Sequence, residues 1–329
     1  MIATRTLTAL AASACFVSPA MAELQGSIEI DGSSTVFPIA EAVAEEFGAE
    51  HPEVRIELGK SGTGGGFKRF TNENPAERTD ISNGSRPIKA KEAKAAKERG
   101  IEFIEVPVAY DGLTIVVNKA NDWAKEMTVD DLKKIFLSDQ AVTNWNQVDP
   151  SYPDTPIKIF APGTDSGTFD YFKEVVAGKK GEIRSDMSVS EEDNVLVNGV
   201  IGDKGAIGFF GCAYYFENQD KLNAVAIVNG DGKPVLPSPT AIEDGSYNPF
   251  SRPLFMYVKK ESLSKPQVAA YVDFFLESGP ELAEEVGYVR LPGSVYAAAK
   301  KNVATGRTGT QYLDENGEKV HGPITQVYK

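Results

Sequence analysis

The stretch DGSSTVFPIAEAVAEEF, residues 31–47, joins a strand pattern to a helix pattern through a hydroxyl-rich turn. Upstream of it, residues 27–31 alternate Ile28 and Ile30, the two-residue period of a half-buried strand. Downstream, Val36, Ile39, Ala40, Val43 and Phe47 recur at helical spacing, with Pro38 in the first turn, where its missing N–H costs little. Val54–Leu58 then alternates again through Val54, Ile56 and Leu58. Strand, helix and strand in that order read as an α/β protein. The alternation continues along the chain. Strand-like runs fall at 113–117, 157–160, 206–210, 225–228 and 254–258, and helix-like runs at 89–99, 129–136, 169–176 and 267–276. The Pro-, Gly- and Ser-rich loop 229–251 is the best candidate for a hinge or crossing segment.

Three more turns resemble the first: Ser61-Gly62-Thr63-Gly64-Gly65-Gly66, Asn83-Gly84-Ser85-Arg86 and Gly163-Thr164-Asp165-Ser166-Gly167-Thr168, each placed ahead of a helix-like pattern. A helix N-terminus offers free N–H groups and the positive end of its dipole, and glycine lets an anion approach the backbone closely. Four such turns point to a pocket for an oxyanion. In the first, the hydroxyls of Ser34 and Thr35 and the amide of Val36 converge, although helix capping alone would explain them. Capping does not explain three consecutive glycines before Phe67. Arg86, held extended by Pro87, presents a planar fork suited to phosphate oxygens, or pairs with a surface carboxylate. Ser166, Gly167 and Thr168 supply hydroxyl and N–H donors to a helix whose apolar face holds Phe169, Phe172 and Val176.

The N-terminus carries Arg5, an apolar run over 7–17 and Ala20-Met21-Ala22, so residues 1–22 read as a secretory signal peptide cut before Glu23. The run is shorter than the ~20 residues of a membrane span. Ala12–Cys15 only loosely imitates a lipoprotein box, since its usual leucine is absent. Cleavage leaves Cys212 as the only cysteine, hence no internal disulfide. It also removes Arg5, taking the net charge from −13 to −14 and disfavouring nucleic acid or anionic lipid as partners. An anion must then be held by local dipoles. Chemistry is thinly represented: His51 and His321 are the only histidines, no zinc-ligand spacing occurs, and no Gly-x-Ser-x-Gly elbow is present. No cofactor is expected.

The order of motifs resembles the PstS family of phosphate-binding proteins of bacterial ABC importers, especially its SphX-like branch. The matching stretches are DGSSTVFPIAEAVAEEF (31–47), KSGTGGGFKRF (60–70), DISNGSRPI (80–88), APGTDSGTFDYF (161–172), GDKGAIGFFGCAYY (202–215) and SRPLF (251–255). The resemblance implies a type II periplasmic binding protein: two α/β lobes joined by two crossing strands, near 110–118 and 252–258. One lobe would comprise 23–111 plus 254–329, the other 112–253. The implied phosphate ligands are Ser34, Thr35 and the Val36 amide, Ser61 or Thr63, and Ser166, Gly167 and Thr168. The chain departs from many members in two places. Pro162 stands where they carry an arginine, and Ser85 where they carry an aspartate. The cation would come instead from Arg86, or from Arg252 in the return crossing, and Asp165 would replace the aspartate as proton acceptor. The expectation is a monomeric periplasmic receptor for inorganic phosphate with a membrane permease as partner. Alternatives are a receptor for sulfate or molybdate, a secreted phosphatase on the same fold, or a scavenger without a transporter.

Overall fold

The computed structural model describes residues 24–329 apart from 165, 179, 180 and 191. The signal peptide read at 1–22 and the acceptor role read for Asp165 lie outside the described residues. In chain order the strands are β1 (Gly26–Gly32), β2 (Val54–Leu58), β3 (Ile81–Gly84), β4 (Phe103–Asn118), β5 (Glu126–Met127), β6 (Lys158–Pro162), β7 (Ser188–Ser190), β8 (Ala206–Gly211), β9 (Leu222–Ala224), β10 (Ala226–Val228), β11 (Pro234–Val235) and β12 (Ser251–Lys259). The helices are α1 (Phe37–Glu50), α2 (Thr63–Phe70), α3 (Ala90–Glu98), α4 (Val129–Phe136), α5 (Trp145–Val148), α6 (Gly167–Val176), α7 (Asp193–Ile201), α8 (Cys212–Glu217), α9 (Pro239–Glu243), α10 (Pro266–Glu285), α11 (Gly293–Thr305) and α12 (Ile324–Val327).

The main sheet runs β2-β1-β3-β12-β4-β8-β6-β7, with β9 also on β4. Strand β4 organises it. All sixteen of its residues are buried, as a run rich in Val and Ile between two covered faces should be. Its first part pairs antiparallel with β12, and its last part, from Leu113, pairs with β8 and β9. One strand thus belongs to two half-sheets. The first half, β2-β1-β3, is parallel, as is β8-β6-β7 in the second. Strand β12 returns alongside β4, and Arg252 faces Asp111 where the half-sheets meet.

The helices seat the turns. Ile39, Ala40, Val43 and Phe47 of α1 are buried, at the spacing read from sequence. Helix α6 is fixed by Phe172, whose ring stacks on Phe209 of β8 at 3.9 Å. Two local readings are corrected. The glycine turn does not precede α2 but forms its first turn, because Gly66 lies against β1: a Cβ there would stand 2.5 Å from the Cα of Gly32. Pro87 does not start α3, which begins at Ala90. The N–H of Ile88 donates to the Tyr257 hydroxyl (2.9 Å) and that of Lys89 to Glu92 (2.9 Å), which holds 85–89 out of the helix.

Candidate functional site

The hydroxyls of the first turn do not cap α1: its N-cap is Val36, with no side-chain acceptor on the helix. The Ser34 hydroxyl donates instead to Asp170 of α6 (2.9 Å), and Thr35 Oγ1 lies 3.5 Å from the carbonyl of Gly167. The turn itself is held from behind. Ser33 Oγ accepts from the Thr35 N–H (3.2 Å), and the buried Tyr288 hydroxyl donates to the Thr35 carbonyl (2.7 Å). Capping therefore fails to account for Ser34 and Thr35. Val36 itself is fully buried, and its side chain belongs to the core.

The second turn is anchored by Asp31, which accepts from the N–H groups of Gly32 (2.8 Å) and Ser61 (3.0 Å) and from Arg69 (3.2 Å). Burial works against its charge, but the bonds from Ser61, Arg69 and Gly32 prevail and hold its carboxyl below the ordinary range. Thr63 then meets the third turn: its Oγ1 lies 3.1 Å from Ser85 Oγ and accepts from the Ser85 N–H (3.1 Å). Of the pair Ser61 or Thr63, it is Thr63 that lines the cavity described next. Ser61 is exposed.

Ser33, Ser34, Thr35, Thr63 and Ser85 border a polar cavity of about 250 Å3, joined by Arg86, Asp170, Glu174 and Arg252. The two arginines differ in what they are tied to. Arg86 forms a two-pronged pair with Glu92 (2.9 and 2.8 Å) and also donates to the Pro87 carbonyl (3.1 Å). Its fork is committed to its own segment. Arg252 lies on β12 between the half-sheets and reaches three elements at once. It donates to Thr35 Oγ1 (3.1 Å), Asp111 (3.2 Å) and Glu174 (3.2 Å), and its guanidinium stands 3.6 Å over the Tyr171 ring. Burial raises the carboxyl of Asp111 above its ordinary value while Arg252 pulls it the other way.

Ser166, Gly167 and Thr168 fall in a neighbouring cavity of about 230 Å3, with Asp111, Asp193 and Tyr288. Ser166 does cap α6, accepting from the Thr168 N–H (3.2 Å). The two cavities share no lining residue, and α6 touches the first turn between them: a Cβ on Gly167 would lie 2.5 Å from the Thr35 Cα, so glycine is required there. The sequence reading missed Asp111, Asp170, Glu174 and Tyr288. Asp170 and Glu174 follow the fourth turn on one helix face, a signal that helical spacing from Ser166 carries. Asp111 and Tyr288 had no local signal. No group of three His, Cys, Asp or Glu is placed to hold a metal ion among the described residues.

Comparisons with known proteins identify the family. The PBP superfamily domain matches residues 17–278. Protein SphX of Synechococcus elongatus is 47% identical over 325 residues, covering 98% of this chain and 94% of its own. The phosphate-binding protein PstS of Staphylococcus haemolyticus is 40% identical, covering 85% of this chain and 86% of its own. A solved structure from Planctomyces limnophilus, described as a possible phosphate binding protein, is 48% identical with a TM-score of 0.82, covering 86% of this chain and 99% of that one. The chain belongs to the PBP superfamily, among the SphX and PstS proteins.

Proposed function

We propose that this protein is a periplasmic receptor that binds inorganic phosphate between its two half-sheets and delivers it to an ABC permease. One observation carries the reading: a hydroxyl-lined cavity in which Arg252 stands on Thr35 Oγ1, in a chain whose relatives are named for phosphate. Ser34, Thr35, the Val36 amide, Thr63 and Ser85 would contact the anion from one side, and Ser166, Gly167 and Thr168 from the other. Arg252 rather than Arg86 would supply the cation, because Arg252 donates to the Thr35 hydroxyl of the cavity, whereas Arg86 donates only within its own segment, to Glu92 and Pro87. Neutral hydroxyls and N–H groups with one shared arginine can hold a doubly charged anion despite the acidic chain.

Phosphate differs from sulfate at neutral pH by carrying a proton, which needs an acceptor. Asp170 and Glu174 bring two carboxylates to the cavity, and one of them would accept that proton, which sulfate lacks. Residues 23–111 plus 254–329 would form one lobe and 112–253 the other, turning about β4 and β12. Ligand would favour the closed form by its tighter fit there. The protein acts as a monomeric binder without catalysis, its leader removed on export. Isothermal titration with phosphate, arsenate, sulfate and molybdate tests this. Saturable binding of phosphate, with sulfate silent, is expected. Sulfate or molybdate binding more tightly than phosphate would reassign the ligand.

A further inference from the structure

The guanidinium of Arg252 is held along its edge by three partners that differ in how firmly they fix it. Nη1 donates to Glu174, whose side chain is 69% exposed, and an exposed ion pair restrains little. Nη2 donates to Thr35 Oγ1, a hydroxyl of the cavity itself. Nε donates to the buried Asp111, which fixes one corner of the fork. A bond at one corner does not set the tilt of a flat group. The face is covered by Tyr171. Its ring centre lies 3.6 Å from the guanidinium carbon, a contact distance, and the negative ring face attracts a cation there. The ring is itself fixed: Tyr171 is 4% exposed on α6, and its hydroxyl donates to the Pro249 carbonyl (2.6 Å). Pro249 stands just ahead of β12, so one side chain ties α6 to the strand that carries Arg252. Tyr171 borders neither of the two polar cavities.

We propose that Tyr171 is a positioning residue for anion binding, its ring face setting the tilt at which the Arg252 fork meets the cavity. The proposal rests on the reading of Arg252 as the cation of a phosphate cleft. Planar recognition of phosphate oxygens depends on the direction of the fork as well as on its charge. A guanidinium already seated on a fixed ring loses less freedom when the anion arrives. Helix α6 also carries Ser166, Gly167 and Thr168 at its start, so the same stack keeps the cation in step with the donors proposed on that helix.

The test reverses the polarity of the ring face while keeping its shape. Tyr171→Phe and a chain with pentafluorophenylalanine at the same position are made as the full mature protein, and phosphate is titrated into each by calorimetry. The first keeps the negative face, the second reverses it, and both lack the bond to Pro249. The fluorinated chain should bind phosphate roughly three- to tenfold more weakly than Tyr171→Phe. A ring that only packs would leave the two alike, so equal affinities overturn the proposal, as does tighter binding by the fluorinated chain. Should that chain fail to fold, a difluorinated ring takes its place, with an affinity expected between those two values; affinity equal to that of Tyr171→Phe again overturns the proposal. Arg252→Lys is titrated alongside. If it leaves phosphate binding unchanged, the cation assignment has failed and the role of Tyr171 falls with it. If it weakens binding while the two rings bind alike, Arg252 stays the cation and only the role of Tyr171 is lost.

Discussion

Arg252 and Arg86 are three-carbon stems with the same head group, yet their partners give them different work. Arg252 is shared among Thr35, Asp111 and Glu174, whereas Arg86 is closed on Glu92 six residues away. Arg252→Lys should therefore weaken phosphate by about 1.5–3 kcal/mol, roughly ten- to a hundredfold, because an ammonium cannot reproduce the fork. Arg86→Lys should change affinity little. Titration calorimetry on both variants checks this, and the reverse order would return the cation to Arg86. Arg252→Ala should also destabilise the fold by about 3–5 kcal/mol, since Asp111 would stay buried without its partner. Denaturant melts measure that loss. The hydroxyls of Ser34 and Thr35 were legible in the sequence because a turn is local. Arg252 meeting Thr35 was not, because 217 positions separate them and no pattern of period two or 3.6 spans that distance.

Elements were read where their apolar period was clean and missed where a proline broke it. Only 113–117 of β4 reads as a strand, because Pro107 interrupts the earlier half. The ladder accommodates that proline at an irregularity between Leu254 and Phe255 of β12, where the register shifts. Helix α10 likewise runs on through Pro280, and its buried face continues at Leu282 and Ala283. The final stretch carries no regular pattern and is placed by a buried acid. Glu105 on β4 accepts from Thr310 (2.5 Å), the Gln311 N–H (3.0 Å) and the Tyr257 hydroxyl (3.1 Å). Burial pushes its carboxyl up from 4.5 to about 7 against those bonds. A folded value above the unfolded one means the native state binds the proton more tightly. The stability this group contributes is present below 4.5 and is lost as the pH rises through about 7. Glu105→Gln should remove that share of the pH dependence. Melting temperatures of the two proteins, measured between those limits, should converge toward low pH and separate toward neutrality in favour of the variant. Parallel curves would dismiss the titration of Glu105.

The alternation of patterns was enough for an α/β class, but not for the strand order. That order depends on β12 inserting between β3 and β4, a pairing of segments well over a hundred residues apart. Such pairings are decided by burial and connection rules rather than by local propensity. The chain as a whole is strongly acidic, at −13, and still suits an anion because hydroxyls and the guanidinium of Arg252 act at short range in the cavity, which Arg86, Asp170 and Glu174 also border. Ligand that binds only the native state stabilises it by RT ln(1 + [L]/Kd), about 2.7 kcal/mol at a hundredfold excess over Kd. Phosphate should accordingly raise the melting temperature by several degrees, and sulfate at equal concentration should not. A larger rise with sulfate would count against the phosphate receptor.

Cys212 is buried at the start of α8, where the Thr114 hydroxyl donates to its sulfur at 3.0 Å and burial pushes its thiol up to about 12. As a neutral, enclosed thiol it is a poor nucleophile, so Ellman's reagent should react with Cys212 slowly in the folded protein and fully only after unfolding. The native protein is in practice a chemically silent background for labelling. In a chain begun at Glu23, which lacks Cys15, a cysteine placed at the exposed Lys319 would take a maleimide dye alone, without first deleting a native thiol. Such a singly labelled chain could be built directly into an optical sensor, with its fluorescence recording whichever anion the cleft accepts.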